Sequence, residues 1–182
     1  MIKNLLTIIL FFTFGLFGFS QSLNKEKLDN YFNTLLLNNK FMGSVAVSKN
    51  GELIYTKSIG YADIENNIRA SEKTKYRIGS ISKSFTAVLI LKAIENQQLT
   101  IDETIDKWFP SITNSNKITV KQLLTHRSGI HNFTNNPDYL LWNTQSKTEK
   151  EMIEIIKKSG IDFEPNTKAE YSNSNFVLLT LF

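Results

Sequence analysis

At 182 residues, 41% of them hydrophobic and 21% charged, the chain has an ordinary globular composition with room for one domain. Its formal net charge of +4 is spread without a long run of like charges, which argues against nucleic acid as a partner. The absence of cysteine excludes a disulfide framework, a thiol nucleophile and a cysteine metal site.

The first twenty residues stand apart from the rest. Lys3 supplies a positive start, and residues 5–19 form an apolar stretch broken only by Thr7, Thr13, Gly15 and Gly18. Gly18 and Ser20 make a small-x-small site before Gln21. This is read as a secretory signal peptide over 1–20, cut after Ser20, because the stretch is short for a membrane span and has a cleavage-like end. An uncleaved N-terminal anchor is the alternative, and without cysteine a lipoprotein is excluded. The protein is therefore expected to be exported, periplasmic or extracellular, with proximity to a membrane surface left open. Residues 21–182 are expected to form one domain. They carry 20 basic residues, the 21 of the whole chain less Lys3, against 17 acidic ones. Without disulfides, that domain must rely on its core.

In residues 23–37, Leu23, Leu28, Phe32, Leu35 and Leu36 recur at helical spacing among polar residues and predict an amphipathic helix. Residues 43–48 and 53–59 are β-rich and flank Asn50-Gly51, a strong short-range hairpin signal. Gly60-Tyr61-Ala62-Asp63 ends the second strand. Residues 76–98 hold the most hydrophobic helix of the mature chain, apolar almost all round through Phe85, Ala87, Val88, Leu89, Leu91, Ala93 and Ile94. Such a helix is expected to lie buried in a core. Residues 99–109 read as a short segment capped at Thr100 and closed by Pro110. A short helix is expected over 119–126, ending at Ser128-Gly129, then a polar loop over 132–137 and an amphipathic helix over 148–159 ended by Gly160. Residues 163–173 read mostly as loop, and 176–182 are apolar to the last residue.

The chemistry concentrates at the start of the 76–98 segment, where Ser80 and Lys83 lie three residues apart and so on one helix face. Ser-x-x-Lys is weak alone, since a second copy, Ser22/Lys25, follows the cleavage site. Tyr-x-Asn also occurs twice, at Tyr31/Asn33 and Tyr171/Asn173. Context separates them. Ser80 opens the hydrophobic helix within Gly79-Ser80-Ile81-Ser82-Lys83, and Leu123-Leu124-Thr125-His126-Arg127-Ser128-Gly129-Ile130 and Tyr171-Ser172-Asn173 follow in order.

In these segments the sequence resembles the serine β-lactamase and penicillin-binding protein family, in the branch of class C β-lactamases, DD-peptidases and esterases. The resemblance covers most of the mature chain. It implies an α+β, β-lactamase/transpeptidase-like fold, with an antiparallel sheet flanked by helices and an α-helical subdomain. It also implies a serine hydrolase without cofactor or metal, acting on a small-molecule or peptide substrate: a β-lactam, a D-amino-acid peptide or an ester. Ser80 would be the acylated nucleophile, Lys83 and Tyr171 the proton carriers, and Asn173 would orient Lys83 and bind a substrate amide. Chemically, a serine hydroxyl needs a neighbouring base, and a phenol beside an ammonium has its pKa pulled down; which of Lys83 and Tyr171 is the base stays open. The Ser80 backbone N–H would be one oxyanion donor.

Blander readings stand beside these. Ser80 and Ser82 could cap the helix, Lys83 could be a solvated residue, although its charge opposes the helix dipole, and Tyr171 and Asn173 could be loop hydrogen-bonders. His126 and His131 make a poor metal site as a pair, and no Gly-x-Ser-x-Gly is present; His126 is read as structural. The family's third motif, a Lys/His-x-Gly strand edge, has no counterpart after Asn173. The chain is accordingly read as the N-terminal part of a longer enzyme, with the C-terminal sheet strands and helix missing. A non-catalytic or incompetent product is the alternative function.

Overall fold

The computed structural model describes residues 23–182, so the expected signal peptide and its cleavage site lie outside it. The described chain divides into two compact units, one reaching to Tyr76 and the other spanning Arg77–Phe182.

In the first unit, helix α1 (Lys25–Leu37) begins where the Asn24 side chain accepts a hydrogen bond from Lys27 N at 2.8 Å, satisfying one of the free N–H groups of the first turn. Leu28, Phe32, Leu35 and Leu36 form its half-buried face, as the spacing predicts. That face meets the hairpin of β1 (Gly43–Lys49) and β2 (Glu52–Ile59), with Phe32 stacked 6.3 Å from Tyr55. The strands pair antiparallel from Gly43↔Ile59 to Lys49↔Glu52. Asn50 and Gly51 both adopt positive φ (53° and 83°), the turn geometry that matches strand twist. Asp29 ties helix to sheet, accepting from Lys57 Nζ at 2.7 Å and Tyr55 Oη at 3.0 Å. Those two donors hold its carboxyl below the usual range. A short second pair, β3 (Tyr61–Asp63) and β4 (Ile68–Arg69), follows.

The second unit is helical apart from two isolated bridges, Thr104↔Thr119 and Ile130↔Ile161. Its elements are a 3-10 turn (Gly79–Ile81), α2 (Ser82–Glu95), a 3-10 turn (Ile105–Lys107), α3 (Val120–Leu124), a 3-10 turn (Phe133–Asn135), α4 (Tyr139–Trp142), α5 (Glu149–Ser159) and α6 (Asn173–Leu179). Both α3 and α5 start with reciprocal capping boxes, Thr119/Gln122 and Thr148/Glu151. The core joins Ile90 of α2, Ile105, Phe109, Ile118, Val120, Leu123, Ile130, Ile156 and the α6 residues Phe176, Leu178 and Leu179.

Two expectations are corrected. Helix α2 is not buried all round: Ile90 is its one buried residue, while Phe85, Val88 and Leu89 are 63%, 55% and 67% exposed. Only the face with Ala87, Ile90, Ala93 and Ile94 reaches the core of its unit. Thr100 caps no helix. Its N–H donates to the Glu103 carboxylate within a turn, and the helical turn starts at Ile105. The apolar end belongs to α6, which Asn173 begins and whose Leu178 and Leu179 are 0% and 2% exposed. Phe182 then packs 4.5 Å from Trp108.

Gly129 is the tightest backbone approach in this unit. Its φ is +79°, and a Cβ there would lie 1.9 Å from the carbonyl oxygen of Phe163. The Ile130↔Ile161 bridge depends on that approach. Gly129→Ala is expected to cost more than about 2 kcal/mol, through strain and displaced backbone, measured as a drop in thermal unfolding midpoint.

Candidate active site

Ser80 sits in the 3-10 turn that precedes α2, and Lys83 lies in the first turn of the helix. Gly79 makes the sharp entry to this turn with φ +52°, a conformation that other residues reach with strain. Tyr171 and Asn173 arrive from the far end of the unit, where an irregular segment enters α6 and Asn173 is its first residue. The four residues singled out by their motifs meet at one point.

Ser80 Oγ lies 2.8 Å from Tyr171 Oη, and Lys83 Nζ donates to Ser80 Oγ at 3.4 Å and to Asn173 Oδ1 at 2.8 Å. Tyr171 Oη donates to Asn173 Oδ1 at 3.2 Å. An ammonium can only donate, so the Asn173 oxygen must face Lys83. With the phenol proton directed to Asn173, the Ser80 hydroxyl proton points to Tyr171 Oη. The Lys83 ammonium and then the Ser80 hydroxyl lower the Tyr171 pKa from 10.0, outweighing the opposing effect of burial. Lys83 Nζ also lies 5.1 Å from the Tyr171 ring centre and 5.6 Å from that of Phe176, positions of cation–π attraction. Ser80 and Tyr171 are both exposed, so the hydroxyl is open to an incoming molecule.

Two residues of the site carried no motif. Asn132 Oδ1 accepts from Asn173 N at 3.0 Å and Asn173 Nδ2 at 3.2 Å, and Thr134 Oγ1 accepts from Asn173 Nδ2 at 3.1 Å. They hold the Asn173 amide in the orientation Lys83 needs. Both Nδ2 protons are thereby engaged, so a substrate amide must displace one of these bonds to reach Asn173. Asn132 and Thr134 lie in the stretch read as a polar loop, 41 and 39 residues before Asn173. No spacing rule links positions joined only by tertiary packing.

The histidines take separate places. Neither is a hydrogen-bond partner of Ser80 among the described residues. His131 Nδ1 pairs with Asp162 at 2.8 Å, whereas His126 lies behind Tyr171, ring centres 4.6 Å apart. No group of three or more His, Cys, Asp or Glu able to hold a metal comes together among the described residues.

The fold is the β-lactamase/transpeptidase-like architecture, the α+β class expected from sequence. The sequence profile described as Beta-lactamase matches residues 39–181, and the chain belongs to that family. A teichoic acid D-alanine hydrolase of Staphylococcus aureus is 32% identical over 154 residues, which are 85% of this chain and 36% of that relative. The D-amino acid amidase of Ochrobactrum anthropi SV3, solved with L-phenylalanine amide, superposes with a TM-score of 0.73 at 30% identity, over 85% of this chain and 44% of the amidase. A penicillin binding protein from Bacillus halodurans superposes with a TM-score of 0.70 at 25% identity, over 83% and 47%. The chain therefore spans about a third to a half of the length of these relatives.

If Lys83 is the main cause of the lowered Tyr171 pKa, Lys83→Met will move the phenol back up toward 10.0. Titration of the Tyr171 ring resonances by NMR reads this directly, and an unchanged midpoint would refute the assignment.

Proposed function

We propose that this chain is the nucleophile-bearing part of an exported serine hydrolase that forms an acyl-enzyme on Ser80. The observation that carries the reading is the Ser80 Oγ–Tyr171 Oη contact at 2.8 Å with Lys83 beside it. The apolar 5–19 stretch supports export.

In the first step Ser80 Oγ attacks a carbonyl carbon and its proton passes to Tyr171 Oη, which takes part as the phenolate that the adjacent Lys83 ammonium favours. Between the two candidate bases, the shorter contact and the lowered pKa favour the phenol. The Ser80 N–H stands at a helix start, where N–H groups lack intrahelical acceptors, and it faces the developing oxyanion as one donor. Collapse of the tetrahedral adduct breaks the bond to the leaving alcohol or amine, which takes the proton from Tyr171. Water then attacks the Ser80 ester by the same route, releasing the acid and restoring the hydroxyl.

For substrate, the relatives favour an acyl group of D-configuration. One is named for D-alanine on teichoic acid and another for D-amino acid amides. A D-alanyl ester or a D-amino acid amide is the proposed class, ahead of a β-lactam. Asn173 orients Lys83 in this scheme, and it meets a substrate amide only by giving up its bond to Thr134 or Asn132.

Ser80→Ala is expected to abolish covalent labelling by a fluorophosphonate or fluorescent penicillin. Tyr171→Phe is expected to slow labelling by about 10²–10⁴-fold while leaving the fold intact. Release of D-alanine from a D-alanyl ester, with the L-isomer alongside, tests the substrate. Equal turnover of both isomers would refute D-specificity, and a folded wild-type chain that takes no label would favour a non-catalytic role.

A further inference from the structure

His126 does not touch Ser80, yet it is wired into the segment that delivers Tyr171. It follows α3 with φ +56°, a left-handed conformation in which histidine is one of the better-tolerated side chains. Its carbonyl accepts from Glu170 N at 2.9 Å, and the next carbonyl, of Arg127, accepts from Asn166 N at 2.8 Å. The backbone of this corner therefore holds both ends of the 166–170 stretch.

The imidazole completes the attachment. Nδ1 lies 3.2 Å from Ser172 N and 3.3 Å from Asn175 Nδ2. A backbone N–H can only donate, so Nδ1 must be the acceptor and the ring must be the neutral form protonated on Nε2. The Asn175 orientation is fixed independently. Ile130 N donates to Ser128 Oγ at 3.0 Å, and Ser128 Oγ donates to Asn175 Oδ1 at 2.6 Å, which turns the Asn175 amide nitrogen toward His126. Ser128 and Asn175 are 1% and 0% exposed, so this chain of bonds does not exchange freely with water. The ring packs 4.6 Å from Tyr171 and 5.2 Å from Phe176.

We infer that the neutral imidazole of His126 is a positioning residue for the Ser80 reaction: it holds the Tyr171 phenol on Ser80 by stacking on its ring and accepting from Ser172 N. Protonation at Nδ1 would set an N–H against two donors and place a second cation beside the Lys83 site. The ring would turn out of its seat, and Tyr171 would lose its backing. Lys83 faces the ring from α2 and Tyr171 from the entry to α6, while α6 itself sets Asn175 and Phe176 against it. Glu170 is paired with Lys168 at 2.7 Å. Burial and then the Lys83 charge push the histidine below its ordinary 6.5. The neutral form thus predominates above 6.5 and is lost as pH falls through the lowered value.

The role rests on Ser80 being acylated, so the test has one arm that needs no acylation. In the folded chain, NMR titration follows the His126 ring and the Tyr171 ring resonances together from pH 8 to 4.5. Both are expected to move with one midpoint below 6.5, whereas Tyr171 resonances that ignore the His126 titration overturn the inference whether or not Ser80 takes a label. In the second arm, fluorophosphonate labelling of Ser80 is timed across the same range. The wild-type rate is expected to break at that midpoint and to fall below it by about a further tenfold per pH unit, as loss of one more essential neutral group requires. His126→Asn keeps a residue tolerant of positive φ and a carbonyl acceptor but cannot titrate or stack. It is expected to label about tenfold more slowly at pH 7.5 and to lack the break in rate at the His126 midpoint, keeping only the dependence that Tyr171 itself imposes. A variant with the wild-type rate, or with the same break, would overturn the inference. A wild-type chain that takes no label at any pH refutes the acyl-enzyme reading instead, and the NMR arm alone then decides whether His126 holds Tyr171.

Discussion

The site depends on one contact, the 2.8 Å bond from Lys83 Nζ to Asn173 Oδ1. Each residue lies in the first turn of a helix, and a cation there is opposed by the helix dipole. Lys83 is held at α2 because a carbonyl dipole, a hydroxyl and two aromatic faces are offered to it at short range. Removing any one of these leaves a half-buried ammonium with fewer acceptors. The same bond fixes the start of α6 relative to the start of α2, so the geometry of Ser80 and Tyr171 follows from it.

Around that contact the donors and acceptors are assigned almost without freedom. Asn132 and Thr134 take the nitrogen side of the Asn173 amide, leaving its oxygen for Lys83. Ser174, 0% exposed, accepts from Phe133 N and donates to the His131 carbonyl. Ser128, Asn175 and His126 form the adjoining chain of bonds. No buried side-chain N or O lacks a partner among the described residues. A polar network of this completeness is rigid, because each rotation would leave a buried group unpaired. Rigidity under the Tyr171 segment is what an exposed hydroxyl pair needs to keep a 2.8 Å separation.

The sequence carried the local decisions well. The Asn50-Gly51 hairpin, α5 with its Gly160 end, and the amphipathic spacing of α1 all show as patterns within a few residues. Such signals survive in a linear reading because neighbouring residues meet whatever the rest of the chain does. It carried the site through motifs, since Ser80/Lys83 and Tyr171/Asn173 each join residues at most three positions apart. Asn132 and Thr134 left no such trace, and the packing of α2 was misjudged. A run that is apolar all round says that burial is favourable and not which face the chain covers.

What the amino-acid sequence determined by itself was the local structure and the chemistry available: a hydroxyl, an amine, a phenol and an amide in two short motifs. What only the tertiary structure decided was their meeting, across 91 residues between Ser80 and Tyr171, and the orientation of the Asn173 amide by Asn132 and Thr134. The tertiary structure also set His126, read from the sequence as structural, against the Tyr171 ring. The physical reason is that hydrogen-bond direction and ring stacking depend on positions in space to a fraction of an ångström. Those positions are set by the packing of α2, α3 and α6 around one core, which no local pattern of residues encodes.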